Sequence, residues 1–254
     1  MKKALQIVTA AAMLLSSCVF RINPKESKIK PAESAEAAII MADSAAAKGF
    51  TRIEANGSFD VYYTQGDTLS IRLEGDTAST RRTIVHGDGK TLTISTARDK
   101  AFILGGKYQM KVHVTSPVLT DASVRGAGDF IAERGISSSK LSLAVAGSGD
   151  IKVKGVKADD FSIEIAGSGD AYASEISAKK ANFSIAGSGG VTIDSIKADN
   201  FTGSIAGAGD IKVTQADINK ASCAIAGAGD INIQGDVKNI EKSVAGAGSV
   251  NVTK

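Results

Sequence analysis

From residue 50 onward, apolar and polar residues alternate with a period of two along most of the chain. Residues 58–63 and 69–74 follow this pattern, and the turn-forming triplet Gln-Gly-Asp at residues 65–67 separates them. Runs rich in β-branched and aromatic residues that are bounded by Gly and Asp are typical of strands joined by tight turns. We therefore predict five to seven strands and no helix between residues 50 and 120.

The second half of the chain is a repeat with a period of about twenty residues. Gly-x-Gly pairs begin at Gly126, Gly147, Gly167, Gly187, Gly207, Gly227 and Gly246. A fixed period in this range indicates a solenoid or another stacked array. A helical repeat is excluded, because paired glycines and alternating Val and Ile disfavour helices.

Within one repeat, the apolar positions describe a coil. Ile151 and Val153 share one parity, and the apolar residues of 161–165 share a parity as well, whereas Val156 and Ala158 have the opposite one, as a corner requires. Short strands with one inward apolar face, repeated every turn, are typical of a parallel β-helix. The predicted fold class is therefore all-β: a parallel β-helix with rungs of about 20 residues, preceded by a β-rich N-terminal segment.

Stacked coils place equivalent side chains on top of one another. Two ladders are predicted: Ile151, Ala171, Val191, Ile211 and Ile231 form one, and Ile165, Ile185, Ile205 and Ile225 form the other. The first repeat is one residue longer, and we attribute this to a bulge at Phe130, between Asp129 and Ile131. Cys223 occupies the position of Phe183 in its coil and is predicted to be a small buried hydrophobic residue.

The Gly-x-Gly-Asp segments are the predicted corners, because glycine admits positive φ and Asp can bond to nearby backbone. They align Asp150, Asp170, Asp210 and Asp230 along one edge as a weak candidate cation ladder. Gly190 and Ser249 interrupt this row, and the calcium-binding nonapeptide pattern Gly-Gly-x-Gly-x-Asp is absent. We favour solvated turn residues and predict no metal site.

The first residues have the features of a secretory signal. Lys2 and Lys3 precede a mostly apolar stretch at residues 4–15, which is too short to span a bilayer. Residues 15–18, Leu-Ser-Ser-Cys, resemble the lipobox of bacterial lipoprotein precursors. That resemblance implies cleavage after residue 17 and attachment of acyl chains, including palmitate, to Cys18. The alternative is an ordinary signal peptide with a chance cysteine at the cleavage site.

The predicted organisation has four parts. Residues 1–17 are the signal peptide, 18–48 the lipidated cysteine and a flexible tether, 49–120 the β-rich N-terminal part, and 121–254 a repeat region of seven rungs. Once Cys18 is lipidated, only Cys223 remains, so no intramolecular disulfide is available.

Composition argues against nucleic-acid binding and gives no sign of catalysis. The net charge is only +3 over 254 residues, there is no Trp, and the sequence has no basic stripe with interleaved aromatic residues. No helix follows the Gly-x-Gly pairs to hold a phosphate, and His86 and His113 have no partner at metal-ligand spacing. We predict no catalytic residue and no cofactor.

Several segments together resemble the head GIN domain family. They are residues 50–54, 57–61, 65–67 and 122–129, together with the repeated Ala-Gly-Ser/Ala-Gly-Asp. Its members are bacterial, often lipoproteins, and are described as autotransporter-adhesin heads. The resemblance covers about residues 50–252 and implies a β-helical domain at the cell envelope, with no binding residues to carry over. Residues 236–243 depart from the inward pattern and leave the C-terminal cap open.

Three functions follow as hypotheses. The first is an envelope-anchored, non-catalytic, adhesin-like module that binds a surface glycan or an envelope protein. The second is a polysaccharide-binding or polysaccharide-cleaving β-helix. A concave groove lined by three or more carboxylates, lysines or arginines would favour this second hypothesis, and a smooth Ser/Lys/Thr surface would favour the first. The third is a structural or regulatory envelope component without a ligand. In each case we expect an outer-membrane lipoprotein held through its lipid, and leave the membrane face open.

Overall fold

The structure is a computed structural model that describes residues 38–39, 49–97 and 110–254. Most of these residues belong to one sheet that coils into a parallel β-solenoid of about seven turns, which confirms the predicted fold class. The strands are β1 (Ala38–Ile39), β2 (Arg52–Gly57), β3 (Asp60–Gln65), β4 (Ser70–Gly75), β5 (Thr83–Gly87), β6 (Thr91–Thr96), β7 (Met110–Ser116), β8 (Asp121–Gly126), β9 (Phe130–Ala132), β10 (Ile136–Gly147), β11 (Ile151–Gly167), β12 (Ala171–Gly187), β13 (Gly190–Gly207), β14 (Asp210–Gly227), β15 (Asp230–Gly246) and β16 (Ser249–Thr253).

The repeat strands stack in parallel and in register. Strands β11 to β14 pair with a constant separation of 20 residues, so Ile165 lies beside Ile185, and Ile205 beside Ile225. Both predicted ladders are confirmed, and their residues are almost completely buried. A continuous apolar column of this kind buries surface at every turn, so each coil is stabilised by its neighbours rather than by itself.

Each coil has three short faces. Pairing between β11 and β12 skips Lys154 and Asp159, which mark two corners, and the Gly-x-Gly-Asp segment forms the third. The inward side chains of β11 lie where the parity predicts them, including Val156 and Ala158 on the short middle face.

The glycine corners bring neighbouring backbones very close together. Gly167 has φ +139°, and a Cβ placed on it would overlap the carbonyl oxygen of Gly147 in the coil beneath. That oxygen instead accepts a hydrogen bond from the backbone N–H of Ser168, at 2.9 Å. Only glycine combines this conformation with this approach, which explains why the pair recurs in every coil.

Inside the solenoid, large side chains alternate with small ones. Phe161, Phe183 and Phe201 lie in successive coils but switch between two columns, and their ring centroids are 6.0 Å and 5.4 Å apart. Gly203 leaves the room that these rings require, since a Cβ there would lie 3.1 Å from the ring of Phe201. Cys223 continues the column of Phe183 and Gly203 and is 1% exposed, which confirms the predicted buried position.

The parallel stack also continues into residues that precede the repeat. Strand β2 pairs with β8, and β3 pairs with β9, with Gly57 opposite Gly126. One layer further out, β6 and β7 pair in parallel with β2 and β3. Along the chain, β2 and β3 come first and form the layer next to the repeat. Strands β6 and β7 follow them in sequence and form the layer outside it. Antiparallel strands β4 and β5 then pair with β7 and β6 and end the parallel stack, and β1 pairs with β4.

Six described strands between residues 50 and 120 agree with the predicted five to seven, but the expectation of no helix is wrong. Helix α1 spans Thr77–Arg82 and connects β4 to β5. Asp76 caps it by accepting a hydrogen bond from the backbone N–H of Ser79, at 2.8 Å. Six residues are too few to show a helical period, so only the capping residue signals this helix. No helix among the described residues has the length and apolar character needed to cross a bilayer.

The predicted bulge at Phe130 is also wrong. Phe130 pairs in register with Ile151 and is buried as that residue is, so it occupies an ordinary inward position. Paired residues of β9 and β11 are 21 positions apart in the sequence, whereas Ile136 of β10 and its partner Val156 are 20 positions apart. The additional residue therefore lies in the bend between β9 and β10, where an exposed loop absorbs it without disturbing the core.

Beyond residue 234, β15 is an open edge of the described sheet. Val244 continues an inward column there but is 43% exposed, because β16 pairs only with residues 230–234 of β15. In the column of Cys223, the last long strand carries Lys242, whose ammonium donates a hydrogen bond to the backbone oxygen of Val250 at 2.8 Å. A charge at an inward position of an edge strand disfavours pairing with another sheet. Burial raises the pKa of the Cys223 thiol to about 11, and the charge of Lys242 opposes this effect.

Replacing a corner glycine tests the close approach of the coils. Gly167→Ala is expected to lower the free energy of unfolding by on the order of 1–3 kcal/mol or more, since it adds strain at positive φ to a backbone overlap. Ser168→Ala is the matched control, because this exposed position carries Ala208 and Ala228 in other coils. The midpoint of urea unfolding measures both. Equal midpoints would mean that the glycine stack is dispensable.

Replacing Lys242 tests the open end. Lys242→Ile makes the end of the solenoid apolar, so we expect the protein to associate with itself in a concentration-dependent manner. Sedimentation velocity measures this, and Lys180→Ile, which removes the same charge from an exposed mid-solenoid position, is expected to sediment like the wild type. If Lys242→Ile also sediments like the wild type at every concentration, the charge does not protect this end.

Candidate binding groove

A long groove follows the corner between the second and third faces of the coil. It encloses about 630 Å³ and crosses strands β10 to β15, a distance of about 24 Å at the spacing of neighbouring strands. Its two rims are rows of outward side chains. One row consists of Lys157, Ser177, Lys197 and Asp217, and the other of Asp159, Lys179, Asp199, Asn219 and Lys238.

The sequence of each coil creates the groove locally. In β11 to β13 the two rim positions flank an inward alanine, which is Ala158, Ala178 or Ala198, whereas β14 and β15 carry Ile218 and Val237 at this position. Because alanine is small and directed inward, the surface between the rims is low. The groove is therefore a consequence of register, since the same three positions recur at every turn.

Polar contacts run along the rims from one coil to the next. The ammonium of Lys179 lies 2.8 Å from the carboxylate of Asp159, and that of Lys197 lies 3.3 Å from Asp217. These pairs are largely exposed, so each contributes about 0–1 kcal/mol to stability. Their effect is on geometry, because they hold long side chains along the groove instead of across it.

Further along the second rim, Asn219 connects two coils. Its side-chain amide donates to Asp199 at 2.9 Å, and its oxygen accepts from the ammonium of Lys238 at 2.6 Å. The hydrogen bond with Asp159 and the charge of that carboxylate raise the pKa of Lys179 above its usual value. Lys179 therefore remains a cation throughout the neutral range.

Two lysines of the groove are not paired with a carboxylate. Among the residues that the structure describes, Lys157 has no ion-pair partner, and Lys238 has only the neutral Asn219. They lie on β11 and β15, so they stand near opposite ends of the groove, about 19 Å apart by strand spacing. The arrangement can receive an extended ligand that carries negative charge at more than one point.

The predicted aspartate row is assembled at a different corner. One carboxylate oxygen of Asp150 accepts the backbone N–H of Asp170 at 3.0 Å, and Asp210 does the same for Asp230 at 2.8 Å. Lys152 lies 3.2 Å from the carboxylate of Asp150. Each carboxylate thus completes the hydrogen bonding of the next corner, which gives the repeated Asp a structural role.

The other candidate residues do not come together as a site. Within residues 49–97 and 110–254, no group of three or more His, Cys, Asp or Glu side chains is placed to hold a metal ion. His113 hydrogen-bonds with Glu74 at 2.9 Å and stacks on the ring of Tyr62. Cys18 lies outside the described residues, as do the signal peptide and nearly all of the predicted tether.

The groove itself was missed by the sequence reasoning. The signal was available in the aligned repeats, where the positions of Lys157 and Asp159 carry charged or hydroxyl residues in nearly every coil. Alignment does not show that these two columns face each other across a low corner. The groove is lined by four lysines and three aspartates. By the criterion stated from the sequence, such a groove favours the second hypothesis, a polysaccharide-binding or polysaccharide-cleaving β-helix, over the adhesin-like module.

Comparison with known sequences assigns the family. A profile of the family described as "Putative auto-transporter adhesin, head GIN domain" matches residues 49–222 and 181–254. The chain belongs to this family, as the resemblance implied, and is an adhesin-like β-helical protein of an envelope-associated class. No match was found among curated proteins.

Solved structures share the fold. A crystal structure from Parabacteroides distasonis ATCC 8503, described as a "putative lipid binding protein", is 26% identical, with a TM-score of 0.71 over 86% of this chain and 96% of that one. A "putative adhesin" from Bacteroides fragilis NCTC 9343 is 23% identical, with a TM-score of 0.74 over 89% and 100%. Another from Parabacteroides merdae ATCC 43184 is 20% identical, with a TM-score of 0.66 over 86% and 95%.

Proposed function

We propose that this chain is an outer-membrane lipoprotein whose solenoid binds an extended acidic glycan without cleaving it. The observation that carries the proposal is the groove of charged and hydroxyl side chains along β10 to β15. Membership of an adhesin-like family is consistent with a binding role at the cell envelope.

The spacing of the groove suits a glycan. Equivalent side chains recur at about 4.8 Å, the distance between neighbouring strands. A pyranose in an extended glycan has nearly the same length, so one sugar residue corresponds to one coil. Lys157 and Lys238 then provide cations near both ends, and serine hydroxyls at residues 137–139 provide hydrogen-bonding groups at the N-terminal side.

Binding without cleavage is supported by the surroundings of the carboxylates. Glycoside hydrolysis commonly uses two carboxyl groups that are free to act on the scissile bond. Asp159 and Asp217 are each engaged by a lysine instead, at 2.8 Å from Lys179 and 3.3 Å from Lys197. The same groove is a poor match for an acyl chain, so we favour a glycan over the lipid named for the P. distasonis relative.

Attachment to the membrane is supported by the residues before the solenoid. The signal-like segment ends at Cys18 in a lipobox-like sequence, and two or more acyl chains give stable anchoring. The solenoid would then stand on a tether of about thirty residues.

Charge reversal in the groove tests glycan binding. Lys157→Glu is expected to weaken binding of polygalacturonate by about tenfold or more, which corresponds to about 1.4 kcal/mol for one lost charged contact. Lys90→Glu, at an exposed turn between β5 and β6, is the matched control and should bind like the wild type. A glycan array, followed by titration calorimetry, measures both. Equal affinities for the two variants, or no acidic glycan bound by the wild type, would contradict the proposal.

Metabolic labelling tests the anchor. When the full chain is expressed in a bacterial host with labelled palmitate, we expect label on the wild type and on Cys223→Ser, and recovery of both with the membranes. Cys18→Ser is expected to lose the label, because no other residue can take the lipobox position. Label that persists in Cys18→Ser would show that Cys18 is not the site of lipidation.

A further inference from the structure

The aspartate row is broken at one coil, and the break changes the surface. The backbone N–H of Gly190 donates to the carboxylate of Asp170 at 2.7 Å, as the aspartates do in the neighbouring coils. Gly190 has no carboxylate to offer to the backbone N–H of Asp210 in turn. The ladder resumes one coil later, where Asp210 accepts from Asp230.

Packing does not force glycine at this position. A Cβ on Gly190 would lie 3.6 Å from the backbone oxygen of Asp210, an ordinary contact, and 3.3 Å from a carboxylate oxygen of Asp170, a tighter contact that the Asp170 side chain would have to relieve by moving a few tenths of an ångström. Gly190 also lacks the positive φ of the corner glycines. An aspartate would therefore fit and would add one hydrogen bond. Proteins typically give up a stabilising local pattern at positions that have a function.

The space left by the missing side chain lies beside an exposed aromatic ring. Tyr172 is 40% exposed and is the only aromatic among the exposed large hydrophobic residues that the structure describes. It shares an outward column with Lys152, Thr192 and Lys212. Its hydroxyl donates a hydrogen bond to the carboxylate of Asp194, which holds the ring in one orientation.

Together these residues form a cavity of about 430 Å³, lined by Tyr172, Thr192 and Lys212 and by the carboxylates of Asp170 and Asp210 on either side of Gly190. A rigid aromatic surface with a few convergent polar groups is the usual composition of a small-ligand site. This corner is separate from the one that forms the groove, and the two sites share no residue.

We propose that this cavity binds a single neutral pyranose residue of a glycan, stacked on Tyr172. The C–H face of the sugar would pack on the ring, and its hydroxyls would donate to Asp170 and Asp210, while the ammonium of Lys212 would donate to a sugar oxygen. A neutral sugar is favoured because carboxylates outnumber ammonium groups here and Lys152 is held by Asp129 at 2.9 Å and by Asp150.

Three substitutions test the proposal, and one of them, Gly190→Asp, is also expected to stabilise the protein. They are made in the mature chain, residues 18–254, with Cys18→Ser to keep it free of lipid. Gly190→Asp restores the ladder and fills the cavity, so it is expected to raise the melting temperature by a few degrees and to abolish binding. Tyr172→Ala removes the stacking surface and should also abolish binding, whereas Tyr172→Phe should retain most of it.

The probes are neutral hexasaccharides of glucose, mannose and galactose, with polygalacturonate for comparison, measured by titration calorimetry. We expect a neutral probe to bind the wild type and Lys157→Glu equally, and to bind Gly190→Asp at least tenfold more weakly. Unchanged affinity in both Gly190→Asp and Tyr172→Ala, or no neutral probe bound by the wild type, would overturn the assignment. Binding of polygalacturonate alone, with loss in Lys157→Glu, would overturn it and leave the groove intact as the glycan site.

Discussion

The close stacking of glycine on glycine at one corner of every coil is the constraint on which the rest of the structure depends. At Gly167, the backbone has a conformation that other residues avoid, and the coil beneath leaves no space for a Cβ. A shift in register by one residue would bring a side chain into this contact. Register is therefore fixed with glycine opposite glycine in every coil, at a separation of 20 residues from β11 to β14, and the inward columns of isoleucine follow from it.

Fixed register also converts columns of sequence into surfaces. Inward positions are restricted by packing, but outward positions are free to vary. The rows that contain Lys157 and Asp159 therefore form the rims of one groove, and the column that contains Tyr172 forms a second site. The ends of such a stack need separate protection, because an open parallel edge can pair with another chain. Antiparallel strands provide it at the N-terminal side, and Lys242 at the C-terminal side.

Sequence reasoning failed where a feature was too short or had two local explanations. Helix α1 has six residues and no period, although Asp76 was a recognisable capping residue. The longer first repeat has an extra residue that the sequence alone can assign to several positions. The bulge was wrongly placed at Phe130, because a large apolar side chain is more stable at an inward position of the core than in a bulge. The bend at residues 133–134 accommodates the extra residue without loss of packing.

The sequence by itself determined the period, the inward ladders, the glycine corners, the buried position of Cys223 and the family. These properties repeat at a fixed separation along the chain, and identical neighbours impose identical conformations. Tertiary structure alone decided that β2 and β3 lie beneath β8 and β9 with β6 and β7 outside them, and that two polar columns face each other across a corner. Both depend on the path of the chain in three dimensions, since the order of layers and the angle between faces are set by contacts between distant segments, which no local pattern records.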